Sequence, residues 1–297
     1  MEICVFGAGS LGSLVGGLLA RAHEVTLVGR EPHVSTIEAE GLAITGELSE
    51  RVEPSARTEP PAGADLAVVT VKSFDTAAAV EALADCELDS ALSLQNGMGN
   101  ERRLAAGLDC PVLAGTCTYG AVLTDPGAVE CTGIGEVVLG ARQGGDSALA
   151  DRVGAAFERA GLVAGVSPDM PRRLWEKLAV NAGINATTAL ARVPNGALLD
   201  GPASSVAAAA ARETARVARE QGAAVTDAAA VERTRAVADA TAANTSSMHQ
   251  DVLSGSRTEI DAINGYVADH ASDPVPVNET LTALVRAREA EAGVRNA

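Results

Sequence analysis

Met1-Glu2-Ile3-Cys4-Val5-Phe6-Gly7-Ala8-Gly9-Ser10-Leu11-Gly12 opens the chain, and its reading decides the fold. The first six residues form a short apolar run that predicts a buried strand. Gly7 to Gly12 follow without a spacer and match GxGxxG. Leu14, Val15, Leu18 and Leu19 then recur at helical spacing. His23-Glu24 ends that helix, and Val25-Thr26-Leu27-Val28 predicts a second buried strand. A βαβ unit therefore closes within about 30 residues. In that setting Gly7 permits the tight turn, Gly9 lets the backbone approach a pyrophosphate, and Gly12 allows close packing of helix on strand. Ala8, Ser10 and Leu11 complete the loop, whose amides and helix dipole favour an anion. A glycine-rich turn with no ligand is the plainer alternative; the position between strand and helix argues against it.

Working outward, further strands are expected at 67–71, 91–94, 112–114 and 137–139, with helices at 76–84 and 100–106. Strands alternating with helices imply a doubly wound parallel sheet of Rossmann type, covered on both faces. Near residue 165 the pattern changes. After Ser167-Pro168-Asp169-Met170-Pro171, strand signals stop and alanine-rich helices are expected at roughly 172–191, 203–222, 227–243, 258–271 and 278–291. A length of 297 residues suits two domains, expected at 1–167 and 168–297. The plain reading of the helical half is a bundle used for homodimerisation.

Composition removes several classes of function. There are 23 basic residues against 39 acidic ones, a net charge of −16, which argues against nucleic acid or an anionic membrane as partner. No apolar run reaches the roughly 18 residues of a membrane span. No basic stretch precedes the first apolar segment, so no signal peptide is expected. Five cysteines without a CxxC pair suit a reduced, cytoplasmic protein with small buried thiols. No metal-binding spacing or GxSxG elbow occurs. An acid excess with lysine almost eliminated resembles proteins from salt-loving organisms. Only Lys72 and Lys177 remain, which marks both as candidates for chemistry.

The second strand ends in Gly29-Arg30, 18 positions after Gly12. An NAD site usually carries Asp or Glu here for the ribose 2′-hydroxyl. Arg30 can instead fork onto a 2′-phosphate, which favours NADP (NADPH); Glu31, next in sequence, opposes it and keeps NAD open. Lys72, in Thr70-Val71-Lys72-Ser73, and Asn96, in Gln95-Asn96-Gly97, follow strand ends, where doubly wound sheets bind ligands. Both are expected near the nicotinamide, although Asn96-Gly97 is also a common turn.

Lys177, Asn181 and Asn185 are spaced i, i+4, i+8 on one helical face. Asn is a poor interior helix residue, and its neighbours here are apolar or small. One ammonium and two amides in such a stripe suit a substrate site, where the ammonium can donate a proton or stabilise an alkoxide. The plainer alternative is polar bracing between helices. Downstream, Asn244 to Asp251 is densely polar, Thr258 with Asp261 reads as a capping-box variant, and an isolated His249 reads as a surface residue.

These segments, with Val71-Lys72-Ser73, Gln95 to Asn100, Pro194-Asn195-Gly196, Asn244 to Asp251 and Thr258 to Val267, resemble the ketopantoate reductase family over essentially the whole chain, in its order and spacing. The resemblance implies NADPH-dependent reduction of 2-dehydropantoate, a branched 2-keto acid, to (R)-pantoate, on the way to pantothenate and coenzyme A. It implies a Rossmann domain followed by a helical domain like that of 6-phosphogluconate dehydrogenase. It makes Lys177 the proton donor and sets Lys72 and Asn96 near nicotinamide and keto acid. Asn181, Asn185, Asn195, Asn244 and Ser247 would hold substrate, and Glu259 and the backbone at Ala121 would meet the cofactor. Tyr119-Gly120 stand before Ala121 where relatives often carry other residues. The alternatives are another two-domain dehydrogenase, acting on a hydroxy acid, opine or sugar phosphate, and a non-catalytic NADPH sensor.

Overall fold

A computed structural model describes residues 1–295. The chain falls into two compact units: Met1–Gln95 with Gly99–Met170, and Asn96–Met98 with Pro171 onward. The first runs β1 (Glu2–Phe6), α1 (Ser10–Leu19), β2 (Glu24–Val28), α2 (His33–Glu40), β3 (Leu42–Gly46), β4 (Glu50–Val52), β5 (Ser55–Arg57), β6 (Gly63–Ala64) and β7 (Leu66–Val69). It continues through α3 (Thr76–Leu83), β8 (Glu87–Leu88), β9 (Ala91–Ser93), α4 (Asn100–Gly107), β10 (Val112–Cys117), β11 (Gly120–Asp125), β12 (Ala128–Gly133), β13 (Val137–Ala141), α5 (Ala148–Arg159) and β14 (Ala164–Val166).

The main sheet has eight strands in the order β14-β13-β10-β9-β7-β1-β2-β5. Its pairs are parallel except β10 with β13. Alternate residues of β1 serve opposite faces: Ile3 and Val5 join the cluster that holds Leu14, Leu18 and Phe157, while Cys4 joins Val69, Ala79 and Leu104. Covering both faces makes the strands nearly all apolar, and each fully buried Leu, Val or Phe is worth roughly 1.5–3 kcal/mol.

A second sheet, β11-β12-β3-β4, was not expected from the sequence. Its strands read as loop because their burial is partial: β11 and β4 have no fully buried residue. The thiols also differ from expectation. Cys4, Cys117 and Cys131 are buried, but Cys86 and Cys110 are only half-buried, and none of the five is in a disulfide. Burial pushes the Cys4 thiol up to about 12, with Cys86 adding to it and Arg57 opposing, so Cys4 is inert.

The second unit comprises α6 (Met170–Ala191), α7 (Pro202–Glu220), α8 (Asp227–Ala240), α9 (Ser247–Leu253), α10 (Asn264–His270) and α11 (Pro276–Glu291). Ala179, Ala182, Ala186 and Ala189 are fully buried along one side of α6, as are Ala210, Ala211, Ala215 and Ala218 on α7. Such small side chains let helix backbones approach closely. A Cβ at Gly183 would stand only 2.9 Å from the Ala207 carbonyl oxygen. Buried amides bind four helices: Asn264 Nδ2 donates to Ala182 O and Asn278 Oδ1, both at 3.0 Å, and Asn278 Nδ2 donates to Ala210 O and Glu213 Oε2. These bonds favour one packing arrangement, although the buried Asn264 Oδ1 has no hydrogen-bond partner among the described residues.

Two readings of this half are corrected. The expected helix at 258–271 is a 3-10 turn, Ile260–Ala262, followed by α10, because Ile263 at φ −107°, ψ −97° breaks the helix between them. Thr258 and Asp261 do not form a capping box. The Thr258 N–H donates to buried Glu289 at 2.6 Å, and Asp261 takes Arg286 and Arg295. Burial alone would raise the Asp261 carboxyl, but those two guanidinium groups outweigh it and hold it below the usual carboxylate range. A depressed carboxylate stabilises the fold above its unfolded pKa of about 3.9 and loses that contribution as pH falls through the folded value. Asp261→Asn should therefore lower Tm at pH 7 and pH 5 alike, with the gap to the native protein closing toward pH 3. Thermal melts followed by circular dichroism would check this; a gap unchanged at pH 3 would contradict it.

Candidate active site

Two hydrogen bonds from Gly7 N and Ala8 N to Val28 O, at 2.9 and 2.8 Å, tie the glycine loop to the end of β2. Gly7 has φ +110°, a conformation L side chains rarely adopt, and a Cβ there would meet Val71 at 2.7 Å. A Cβ at Gly12 would collide with the Gly7 carbonyl oxygen and stand 2.5 Å from Thr70 Oγ1. Thr70 Oγ1 in turn donates to that carbonyl at 2.9 Å. No side chain caps α1 and no acidic residue lies in its first turn, so its leading amides remain for an anion. The donor set thus fits a pyrophosphate.

The loop bearing Lys72 is held by groups the sequence reading missed. Gln95, 4% exposed, donates from Nε2 to Val71 O at 3.0 Å and to Thr76 Oγ1 at 2.9 Å. The Thr76 hydroxyl lies 2.9 Å from both Ser73 O and Asn100 Oδ1. Lys72 itself is half-buried. Arg30 is 91% exposed at its side chain and meets Asp75 only at 3.8 Å. A pair that loose and wet contributes little, leaving the guanidinium available to a ligand. Ser10 Oγ accepts from Leu123 N at 3.1 Å, which seats the ribbon carrying Ala121 against α1.

In the second unit, Lys177 and Asn181 are half-buried and Asn185 is 6% exposed. Thr188 continues this side of α6, and its hydroxyl lies 2.7 Å from that of buried Ser246. Ser246 caps α9 by accepting from His249 N at 3.2 Å, leaving Ser247 exposed at the first turn. Asn195 N donates to Asn244 O at 3.0 Å, and its Nδ2 donates to Thr241 Oγ1 at 2.9 Å. Asn195 Oδ1 is buried with no hydrogen-bond partner among the described residues. The segments around Asn195 and Asn244 are therefore neighbours, and Ser246 joins the second of them to α6. Asn96, which belongs to this unit, donates to Glu259 Oε2 at 3.4 Å across 163 positions.

His249 is corrected from surface to buried, at 6% exposed. Ser246 and Gln95 could have been found from their places beside Ser247 and Asn96; Thr76 and Thr188 carried no signal above an ordinary helical threonine. Among the described residues no helix is long and apolar enough to cross a membrane, and no group of three His, Cys, Asp or Glu is placed to hold a metal ion.

Against known proteins, residues 3–144 match the family described as ketopantoate reductase PanE/ApbA, and residues 169–289 match its C-terminal part. A 2-dehydropantoate 2-reductase of Halobacterium salinarum is 45% identical, with 96% of this chain and 98% of that protein covered. One of Pyrococcus horikoshii is 38% identical with 99% of each covered. A ketopantoate reductase crystal structure from Ralstonia eutropha superposes with a TM-score of 0.90 at 34% identity, covering 99% of this chain and all of that one. D-mandelate dehydrogenase with NADH and anilino(oxo)acetate superposes at 0.91 with 25% identity, covering 99% and 100%. The family match over both halves and the near full-length relatives carry the conclusion: this chain belongs to the ketopantoate reductase family of oxidoreductases.

Proposed function

We propose that this protein reduces 2-dehydropantoate to (R)-pantoate with NADPH. The observation that carries the reading is the polar stripe on α6, half-buried Lys177 and Asn181 with buried Asn185, in a helix otherwise packed with alanine. Two interior Asn residues weaken a helix by about 0.5–0.7 kcal/mol each relative to Ala, a sacrifice that a ligand-facing role explains.

A dinucleotide held at Gly7 to Gly12 would supply the hydride for the C2 ketone. The remaining work falls to side chains. Lys177 Nζ donates the proton to the C2 oxygen and, before the transfer, its charge stabilises the developing alkoxide. Asn181 and Asn185 orient the keto acid from the same helical face. Ser247 and neighbouring amides hold the carboxylate, which stops the ketone presenting its other face. The orphaned Asn195 Oδ1 accepts from a substrate hydroxyl, which 2-dehydropantoate has and simpler 2-keto acids lack. Lys72, Asn96 and Glu259 serve the nicotinamide end, Gly7 to Gly12 the pyrophosphate, the backbone at Ala121 the cofactor's flank, and Arg30 the 2′-phosphate. The protein works in the cytoplasm.

Steady-state reduction of 2-dehydropantoate, compared with 2-keto acids lacking the hydroxyl and with each nucleotide, tests this reading. No turnover of 2-dehydropantoate beside good turnover of another keto acid would reject the substrate; binding without turnover of any would reject the enzyme. Lys177→Ala should lower kcat about 10²–10⁴-fold while nucleotide still binds. Lys177→Arg should recover keto-acid KM better than kcat, since guanidinium, with a pKa above about 12, is a reluctant proton donor. Near-native kcat in folded Lys177→Ala would move the proton to Lys72. Arg30→Asp should lower the NADPH-to-NADH ratio of kcat/KM by about tenfold or more, the worth of a charge-assisted contact. An unchanged ratio would remove Arg30 as selector.

A further inference from the structure

His33 opens α2 directly after Gly29–Pro32, the loop that carries Arg30. Its side chain lies within the fold, the residue being 8% exposed, and both ring nitrogens are engaged. Nδ1 accepts from the backbone N–H of Gly127 at 2.9 Å, and Nε2 lies 2.9 Å from Ser13 Oγ. A backbone N–H can only donate, so Nδ1 carries no proton and the neutral ring holds its proton on Nε2, which donates to Ser13. Burial, which pulls the imidazole pKa below its ordinary value, favours that neutral form.

Through these two bonds one ring spans three elements. Ser13 is the residue after Gly12 on α1; His33 itself fixes the start of α2 and the end of the Arg30 loop; Gly127 is the turn between β11 and β12. The turn presses directly on α2, for a Cβ at Gly127 would stand 2.6 Å from Thr36 Cγ2. The Ser10–Leu123 bond fastens the same ribbon to α1 one helical turn away. Three of the pieces read as nucleotide-binding, the glycine helix, the Arg30 loop and the ribbon with Ala121, are thus tied through a single side chain.

We propose that His33 is the positioning residue of the nucleotide site, its Nε2-protonated ring acting through Ser13 and Gly127 to hold α1, the Arg30 loop and the Ala121 ribbon in the arrangement that receives the dinucleotide. This rests on the nucleotide site described above. His33→Leu puts an apolar group of similar bulk in its place and removes both bonds. Isothermal titration with NADPH should then show Kd raised about tenfold, the effect of unpairing buried polar groups. Keto-acid KM and kcat at saturating NADPH should stay within about twofold. His33→Asn, whose Oδ1 can replace Nδ1 as acceptor for Gly127, should recover part of the affinity, which a general loss of packing would not allow. Ser13→Ala removes one bond with little change in volume and should raise Kd several-fold, which keeps the test alive where His33→Leu does not fold. Native Kd in His33→Leu or in Ser13→Ala would overturn the proposal, as would keto-acid KM rising in step with Kd. Failure of the native protein to bind either nucleotide would instead reject the functional reading itself.

Discussion

The nucleotide-binding unit depends on how thin α1 is. The Gly7 carbonyl occupies the space in which residue 12 would carry a Cβ, so strand, turn and helix can close only with glycine at position 12. The same economy continues along the helix. A Cβ at Gly16 would strike Leu27, and one at Gly17 would stand 2.9 Å from Leu42 on β3. The helix is therefore pressed between the main sheet on one side and the smaller sheet on the other, and Gly12 to Leu19 are all buried. Only its first turn reaches outward, uncapped, with its amides unclaimed by side chains. A bulkier helix would separate the layers and displace that turn from the ends of β1 and β2.

The helical unit obeys a related constraint in a different chemistry. Alanine faces on α6 and α7 bring backbones close but offer little shape to define register. Definition comes from buried polar contacts instead. The Ala182–Asn264–Asn278–Glu213 chain crosses four helices, and Arg286 and Arg295 bracket Asp261 while Glu289 takes the amide of Thr258. These bonds flank Glu259, the partner of Asn96. Residues of one motif, Thr258 to Val267, are thereby divided between two tasks: Asn264 and Asp261 brace the unit, and Glu259 faces the polar group at Asn96.

The division of labour explains which features sequence reading could reach. A glycine at position 12 and a lysine in a chain that avoids lysine are legible because local sterics or composition leave few alternatives. Lys177, Asn181 and Asn185 are legible because helical periodicity puts them on one side without further information. Thr188 completes that side only through its contact with Ser246, 58 positions on. His249, read as exposed, is buried because α9 forms, and α9 is seven residues long with Ser246 as its cap. A helix so short has too few turns to show a period.

By itself the sequence determined the βαβ opening, the alternation of strands and helices up to about residue 165, the helical half that follows, and the family. Each rests on local patterning: apolar runs, helical spacing and glycines whose role depends on near neighbours. Only the tertiary structure decided the second sheet, two of whose strands, β4 and β11, have no fully buried residue. It also decided the break at Ile263, the pairing of Asn96 with Glu259, and the bridge from Ser13 through His33 to Gly127. The last two are hydrogen bonds between residues 20 to 163 positions apart, and no local period records which distant polar atom a donor will meet once the backbone has folded.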